Sequence, residues 1–347
     1  MKIVIPVLGF GRAGGERVLS QVATQLVDHG NEVAFVVPQG QADKPYYPTK
    51  AGIALSQKST SNNKYVRLAM TYYYLWRECK KQKPDIVLAN FHMMAYLVAL
   101  LPISNKKKLY YIQAYEVMFG KNSLRKLFAY LTYLLPLRKI VNHKDILPAK
   151  INNYEAVIPA GLDLNLFKPQ EVNNSFKIQT IGFIGRQEKH KGSDELIDVL
   201  CTHPYRHDIT LNIAIYLSDE NRAKLEAAGI TYCFYTISSD EELATFYRRN
   251  HLMLAVGLIE DGAFHYPCAE SMASGCLVIS NYAPLTETES HFTLTTFDPN
   301  LLTEKIKSAF ELDSTSYNSE IQRNITAVAK YDWKTIGQQF NSLIQKH

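Results

Sequence analysis

Short apolar runs alternate with longer amphipathic stretches along almost the whole chain, and this alternation limits the fold more than any other feature. In the first half, strands are predicted over Lys2–Leu8, Glu32–Val37, Asp85–Ala89 and Lys108–Ile112. Helices are predicted between them, over Glu16–His29, Tyr65–Lys81 and His92–Leu101. Glu16–His29 places Val18, Leu19, Val22 and Leu26 on one helical face, and Gly30 suits its end. A β-α-β-α rhythm of this kind calls for a parallel, doubly wound sheet. The rhythm breaks after Ile158-Pro159-Ala160-Gly161 and a polar stretch from Pro169 to Ser175, then restarts. Strands are expected at Phe176–Gly185, Ile209–Tyr216, Tyr232–Tyr235, Leu252–Val256 and Leu277–Ser280. Helices are expected at Asp194–Cys201, Asn221–Ala228, Asp240–Arg249, Tyr266–Ser274 and, last, Tyr331–His347. The chain therefore reads as two α/β domains joined near residue 165, each long enough to bury its own core. Open α/β sheets bind ligands beyond the carboxyl ends of their strands, so a cleft between the two is the expected site.

Composition excludes several classes. With 46% hydrophobic and 20% charged residues, the chain is neither disordered nor fibrous. No apolar run reaches the roughly 18 residues of a spanning helix, and Phe91–Pro102 is too short. MKIVIPVLGF lacks a small-residue cleavage site and reads as a buried strand. The five cysteines are scattered and form no CxxC pair, which argues against a zinc site or disulfide framework and for a reducing cytoplasm.

Charge is unevenly placed. Residues 1–160 hold 22 Lys and Arg against 9 Asp and Glu, whereas residues 161–347 hold 16 against 24. A basic half and an acidic half point to different partners. Between Glu116 and Asp145 no acid occurs, while Lys121, Arg125, Lys126, Arg138, Lys139 and Lys144 do, among many Leu, Tyr and Phe. Such a basic amphipathic segment suits an anionic membrane face, and equally the solvated end of a core helix. Nucleic acid would also attract the charge, but no nucleic-acid motif accompanies it, so no such partner is expected.

Three motifs carry chemistry. Gly9-Phe-Gly11-Arg12-Ala-Gly14-Gly15 follows a strand and opens a helix. It formally matches the dinucleotide fingerprint of an NAD enzyme, but the second strand ends in Val37-Pro38-Gln39-Gly40 without the acid that would hold a ribose. What survives is a small-residue approach for phosphate or sugar at a helix N-terminus, or a bare tight turn. Gly182-Phe-Ile-Gly185-Arg186 through Lys191-Gly192 puts two cations, with His190 a third donor, on one loop. They suit a diphosphate leaving group, whose oxygens gain charge on bond cleavage; a solvated basic turn is the plain alternative. In the loop Gly262-Ala263-Phe264-His265-Tyr266, backbone amides are expected to contact sugar or phosphate. Pro267 suits a helix start, which places Glu270 in the first turn, where it binds ribose hydroxyls or merely complements the helix dipole. No Asp-x-Asp pair is present to hold a divalent metal, so no metal cofactor is expected and the cations take its part.

In this order the motifs resemble the GT-B glycosyltransferases, specifically the large retaining family 4 (group 1), over essentially the whole chain. Gly14-Gly15-Glu16-Arg17 is similar to its N-terminal glycine turn, and Ile158-Pro159-x-Gly161-x-Asp163-x-x-x-Phe167 to its interdomain crossing. Gly185-Arg186 through Lys191-Gly192 is similar to its diphosphate clamp, and Pro267-x-x-Glu270-x-Met272-Ala273-x-Gly275 to its nucleotide-sugar helix. Tyr110-Tyr-Ile-Gln-Ala-Tyr-Glu116 resembles a segment of members that build bacterial surface polysaccharides.

The resemblance implies two Rossmann-like doubly wound domains facing across a cleft. These are an acceptor domain over 1–164, a nucleotide-sugar domain over 165–330, and a helix over 331–347 returning to the first. It implies retaining transfer from a nucleoside-diphosphate sugar to a glycan or lipid-diphosphate-linked acceptor, at the inner face of the plasma membrane. Arg186 and Lys191 would neutralise the diphosphate; Gly14, Gly15, Gly262, Ala263, Phe264, His265 and Glu270 would bind donor. Two departures matter. The family's paired acids stand eight positions apart, and eight before Glu270 is Gly262; Glu260 or Asp261 would have to substitute. This motivates a second reading, a catalytically weak GT-B subunit supporting a partner enzyme. The family's N-domain histidine falls near Asn90, two residues before His92, so His92 is a catalytic candidate or a core histidine.

Overall fold

The computed structural model describes residues 1–11, 14–40, 43–144, 146–169, 177–259 and 262–346. It divides into two compact units, Met1–Gly161 with Trp333–His347, and Leu162–Asp332.

The first unit runs β1 (Lys2–Pro6), α1 (Gly14–Asp28), β2 (Glu32–Pro38), β3 (Gly52–Ser56), α2 (Lys64–Lys81), β4 (Ile86–Ala89) and α3 (His92–Ala99). It continues through β5 (Lys108–Ile112), α4 (Ser123–Thr132), β6 (Arg138–Val141) and β7 (Ala156–Val157). The strands form one parallel sheet in the order β3-β2-β1-β4-β5-β6-β7. Ile3 pairs with Val33 on one side and Ile86 on the other, so the order reverses between β1 and β4. Central strands such as β4 are buried on both faces, which is why they read as unbroken apolar runs. The helix Trp333–Gln345 lies on α1: a Cβ on Gly337 would come within 2.6 Å of Gln25 Cβ.

Three strands of this unit, β3, β6 and β7, are not expected from the sequence. Strand β6 is masked by its charges. Arg138 donates through Nε and Nη2 to the Glu155 carboxylate, both at 2.7 Å, and the buried Lys139 reaches Asn153 Oδ1 at 2.7 Å. The basic stretch is therefore not one amphipathic segment. It splits into helix and strand, and two of its six cations are engaged inside the unit.

The second unit runs β8 (Thr180–Ile184), α5 (Ser193–Thr202), β9 (Thr210–Ala214), α6 (Asp219–Ala227), β10 (Thr231–Tyr235), α7 (Asp240–Arg248) and β11 (Leu252–Ala255). It ends with α8 (Tyr266–Ala273), β12 (Leu277–Ser280), α9 (Pro299–Phe310) and α10 (Ser314–Val328); the chain's final helix is then α11. Its five strands are parallel in the order β10-β9-β8-β11-β12, reversing between β8 and β11. Ile181, Phe183, Leu211, Ile213, Leu254 and Ile279 fill the core around the sheet. Phe176, expected to begin the first strand here, lies outside the described residues. Among the described residues no helix is long and apolar enough to cross a membrane.

Candidate active site

Each sheet places its candidate residues at the strand ends where the order reverses. In the first unit, the turn after β1 enters α1 at Gly14. The first turn of a helix leaves its N–H groups without intrahelical partners. A Cβ on Gly14 would meet nothing within 4 Å, so space lies open there. Gln113 joins the turn to the end of β4, donating from Nε2 to Gly15 O at 3.0 Å and to Asn90 Oδ1 at 2.6 Å. Gly11 N donates to Glu16 Oε2 at 2.6 Å, which orients the turn; Arg12 lies outside the described residues.

His92 is the first residue of α3, just beyond β4. Its side chain is partly buried, with 17% exposed. Its Nδ1 lies 2.7 Å from Glu116 Oε2.

In the second unit, β8 leads through Gly185 to Arg186, whose backbone N donates to Ser193 Oγ at 2.8 Å. A turn over Lys189–Lys191 follows, and Gly192, at φ +73°, takes the left-handed conformation that starts α5. Leu258 N donates to His190 O at 3.1 Å, which ties this loop to the segment after β11. Arg186, Lys191, Ser193, His265 and Pro267 line one small cavity beside the ends of β8 and β11. His265 is pushed down to about 3 by loss of solvation, then by the charges of Lys191 and Arg186. It is therefore a neutral ring beside two cations, packed 4.4 Å from Tyr282, with Nδ1 buried and unpaired among the described residues.

The loop before α8 departs from expectation at several points. Gly262 N and His265 N already donate inside the unit, to Asn281 O at 2.8 Å and Ala283 O at 2.9 Å, so these two amides are not offered to a ligand. Phe264 packs against Tyr266 and Tyr331, and Ala263 O accepts from Ala283 N at 2.9 Å. Glu270 lies in the second turn of α8, not the first, because the helix begins at Tyr266. Its carboxylate is buried and accepts from Tyr247 OH at 2.9 Å. Glu260 and Asp261 lie outside the described residues. Gly262 has φ +76°, and a Cβ there would meet nothing within 4 Å, so backbone conformation rather than room disfavours a side chain.

Gly14, Gly15 and His92 thus belong to the first unit, and the clamp, the loop and Glu270 to the second. Reading by motif overlooks Ser193, just past Lys191-Gly192, and also Tyr247, Asn281 and the part of Glu116, which act through contacts distant in sequence.

No protein-family model matches the chain, and no curated protein sequence does. Solved structures match along its full length. Sucrose-phosphate synthase from Thermosynechococcus elongatus is similar at a TM-score of 0.76 and 16% identity, covering 100% of this chain and 98% of that one. Anabaena Alr3699/HepE in complex with UDP and glucose gives 0.74 and 16%, with 100% of both chains covered. The lipopolysaccharide outer core galactosyltransferase WaaB gives 0.73 and 16%, covering 100% and 99%. The chain has the GT-B fold. In that fold each of its two units carries a parallel doubly wound sheet, as the strand orders above require.

Proposed function

We propose that this GT-B chain is a retaining glycosyltransferase of the family 4 kind. It would move a sugar from a nucleoside-diphosphate sugar to a glycan or lipid-linked glycan in bacterial surface-polysaccharide synthesis. The observation that carries the reading is the cavity where Arg186 and Lys191 converge beside a neutral His265. As the bond from the anomeric carbon to the diphosphate breaks, its electron pair passes to a phosphate oxygen. Preorganised cations stabilise that charge without a metal. The acceptor hydroxyl attacks from the same face, and its proton goes to the departing phosphate oxygen. Glu270 accepts the ribose hydroxyls, its orientation held by Tyr247. Within the first unit, the open space at Gly14 leaves room for a ligand at the start of α1. HepE, solved with UDP and glucose, and WaaB, a galactosyltransferase of lipopolysaccharide, support the donor class and the setting.

A panel of UDP-, GDP- and dTDP-sugars tests this directly. The right donor raises the melting temperature, by an amount equivalent to about 2.7 kcal/mol at a hundredfold excess over Kd. Its sugar then appears on acceptor with the anomeric configuration unchanged by NMR. If no nucleotide shifts the melting temperature, the reading fails. Binding without transfer favours the weak-subunit alternative, which the bare, left-handed Gly262 supports.

We further infer that α4 lies on an anionic membrane surface. It leaves Leu124 71% exposed, with Leu127, Phe128 and Leu131 also open to solvent, and Lys121, Arg125 and Lys126 exposed beside them. Contiguous large apolar side chains with basic neighbours fit a lipid interface better than water. Replacing both Leu127 and Phe128 with Asp is expected to abolish co-sedimentation with phosphatidylglycerol vesicles while the melting temperature holds. Undiminished sedimentation would remove the assignment.

A further inference from the structure

Helix α3 begins without a cap of its own, since Phe91 makes no side-chain bond to the first turn. The partner comes from far along the chain. Glu116 Oε2 accepts the backbone N–H of His92 at 2.7 Å and also lies 2.7 Å from His92 Nδ1. Its other oxygen accepts Tyr110 OH at 2.7 Å, and its own backbone N–H donates to Tyr133 OH at 2.9 Å. Burial raises the Tyr110 hydroxyl well above its usual value, as does the Glu116 charge, so it stays a donor. Glu116 is itself 4% exposed.

This carboxylate is enclosed by three donors of the protein and does not meet substrate. Its functional outlet is the imidazole. Nδ1 facing a carboxylate must carry the proton, which leaves the lone pair of the neutral ring on Nε2. No described residue bonds Nε2. The Phe91 ring, 4.0 Å from the imidazole between centroids, limits its rotation. A helix cap alone would need one oxygen on the backbone N–H; here the same oxygen also takes the ring.

We propose that Glu116 is the positioning residue for His92. It fixes the Nδ1–H tautomer and presents Nε2 to accept a hydrogen bond from a hydroxyl of a bound sugar. The second half of this rests on the transferase reading; the first does not.

Long-range proton–nitrogen NMR of the ¹⁵N-labelled full chain, at mildly alkaline pH, reads the tautomer. The wild type is expected to show protonated Nδ1 and bare Nε2, and Glu116→Gln, which offers an amide donor as well as an acceptor, a mixed or reversed tautomer. In transfer assays Glu116→Gln should lower kcat about 10–100-fold, by analogy with carboxylates that orient a metal-bound histidine, with the donor KM unchanged. In a His92→Ala background the same change should cost nothing further. If Glu116→Gln does not fold, Glu116→Asp is read in its place, with the tautomer kept and kcat partly lost. A wild type protonated on Nε2, an unaltered tautomer in Glu116→Gln, or additive losses in the double variant would overturn the proposal. A tautomer that shifts in a protein with no transfer activity upholds the coupling and sinks only the transferase reading.

Discussion

Lys191→Ala is expected to lower turnover by about two to three orders of magnitude, the usual cost of losing one preorganised charge donor at a developing oxyanion. The position argues for an effect on chemistry rather than folding. Lys191 closes a short turn held by its backbone, Lys191 N to Glu188 O at 2.9 Å, and that bond does not need the side chain. The cavity offers no replacement. His265 would have to become a cation to compensate, and burial keeps it neutral through the physiological range. Arg186 alone would then face a leaving group carrying two phosphates. Single-turnover transfer at saturating donor, with the melting temperature as a control on folding, measures the loss. Near-normal turnover would mean that the diphosphate is held elsewhere.

The two doubly wound halves are legible because a buried parallel strand reads as an apolar run: β4 and β11 are unbroken, and β1, β5, β8 and β12 carry a polar side chain only at one end. Strands β3 and β7 lie at the ends of their sheet and carry little apolar signal. Strand β6 opens with Arg138-Lys139, charges made tolerable by partners that include Glu155 and Asn153. Helices α9 and α10 carry a capping signal that hydrophobic periodicity alone passes over: Asp298 accepts from Asn300 N and Leu301 N, and Asp313 from Ser316 N. An Asp before a Pro at the first helical position is a start mark in its own right. At the candidate site, Arg186, Lys191 and His265 follow from local motif alone because each sits in the loop between a strand and the helix that comes next. Glu116 does not. Its meaning depends on β5 lying beside β4, and on a loop returning an acid to the start of α3. Glu270 shows a finer limit: its residue type is informative, but its depth in the helix depends on where α8 starts.

Gly185→Ala is expected to destabilise the second unit by at least about 3 kcal/mol, the upper range for forcing an atom into a filled site. A Cβ at this position would stand 1.8 Å from Tyr216 O and 2.9 Å from Tyr216 C. Those are backbone atoms, and they are pinned. Tyr216 N donates to Ala214 O at 3.0 Å, Ile215 N to Tyr235 O at 3.0 Å, and Gly185 N to the same Ala214 O at 2.9 Å. Ile184 pairs with Ala214 in the ladder just before, so retreat by either strand breaks the register of β8 with β9. A flexible side chain could turn aside; a carbonyl held on both flanks cannot. At roughly 2–4 °C per kcal/mol for a unit of this size, the melting temperature should fall by about 6–12 °C or more. Gly14→Ala is the matched control, since its added methyl meets nothing within 4 Å and should leave the melting temperature in place. The same clash acts on function, because Gly185 immediately precedes Arg186. A folded Gly185→Ala protein is expected to have shifted the Arg186 backbone beside the clash, and its loss of donor affinity should exceed what the unfolded fraction accounts for. Equal melting temperatures for the two variants would show that the end of β9 can yield, and that the clamp is less rigidly built than this packing requires.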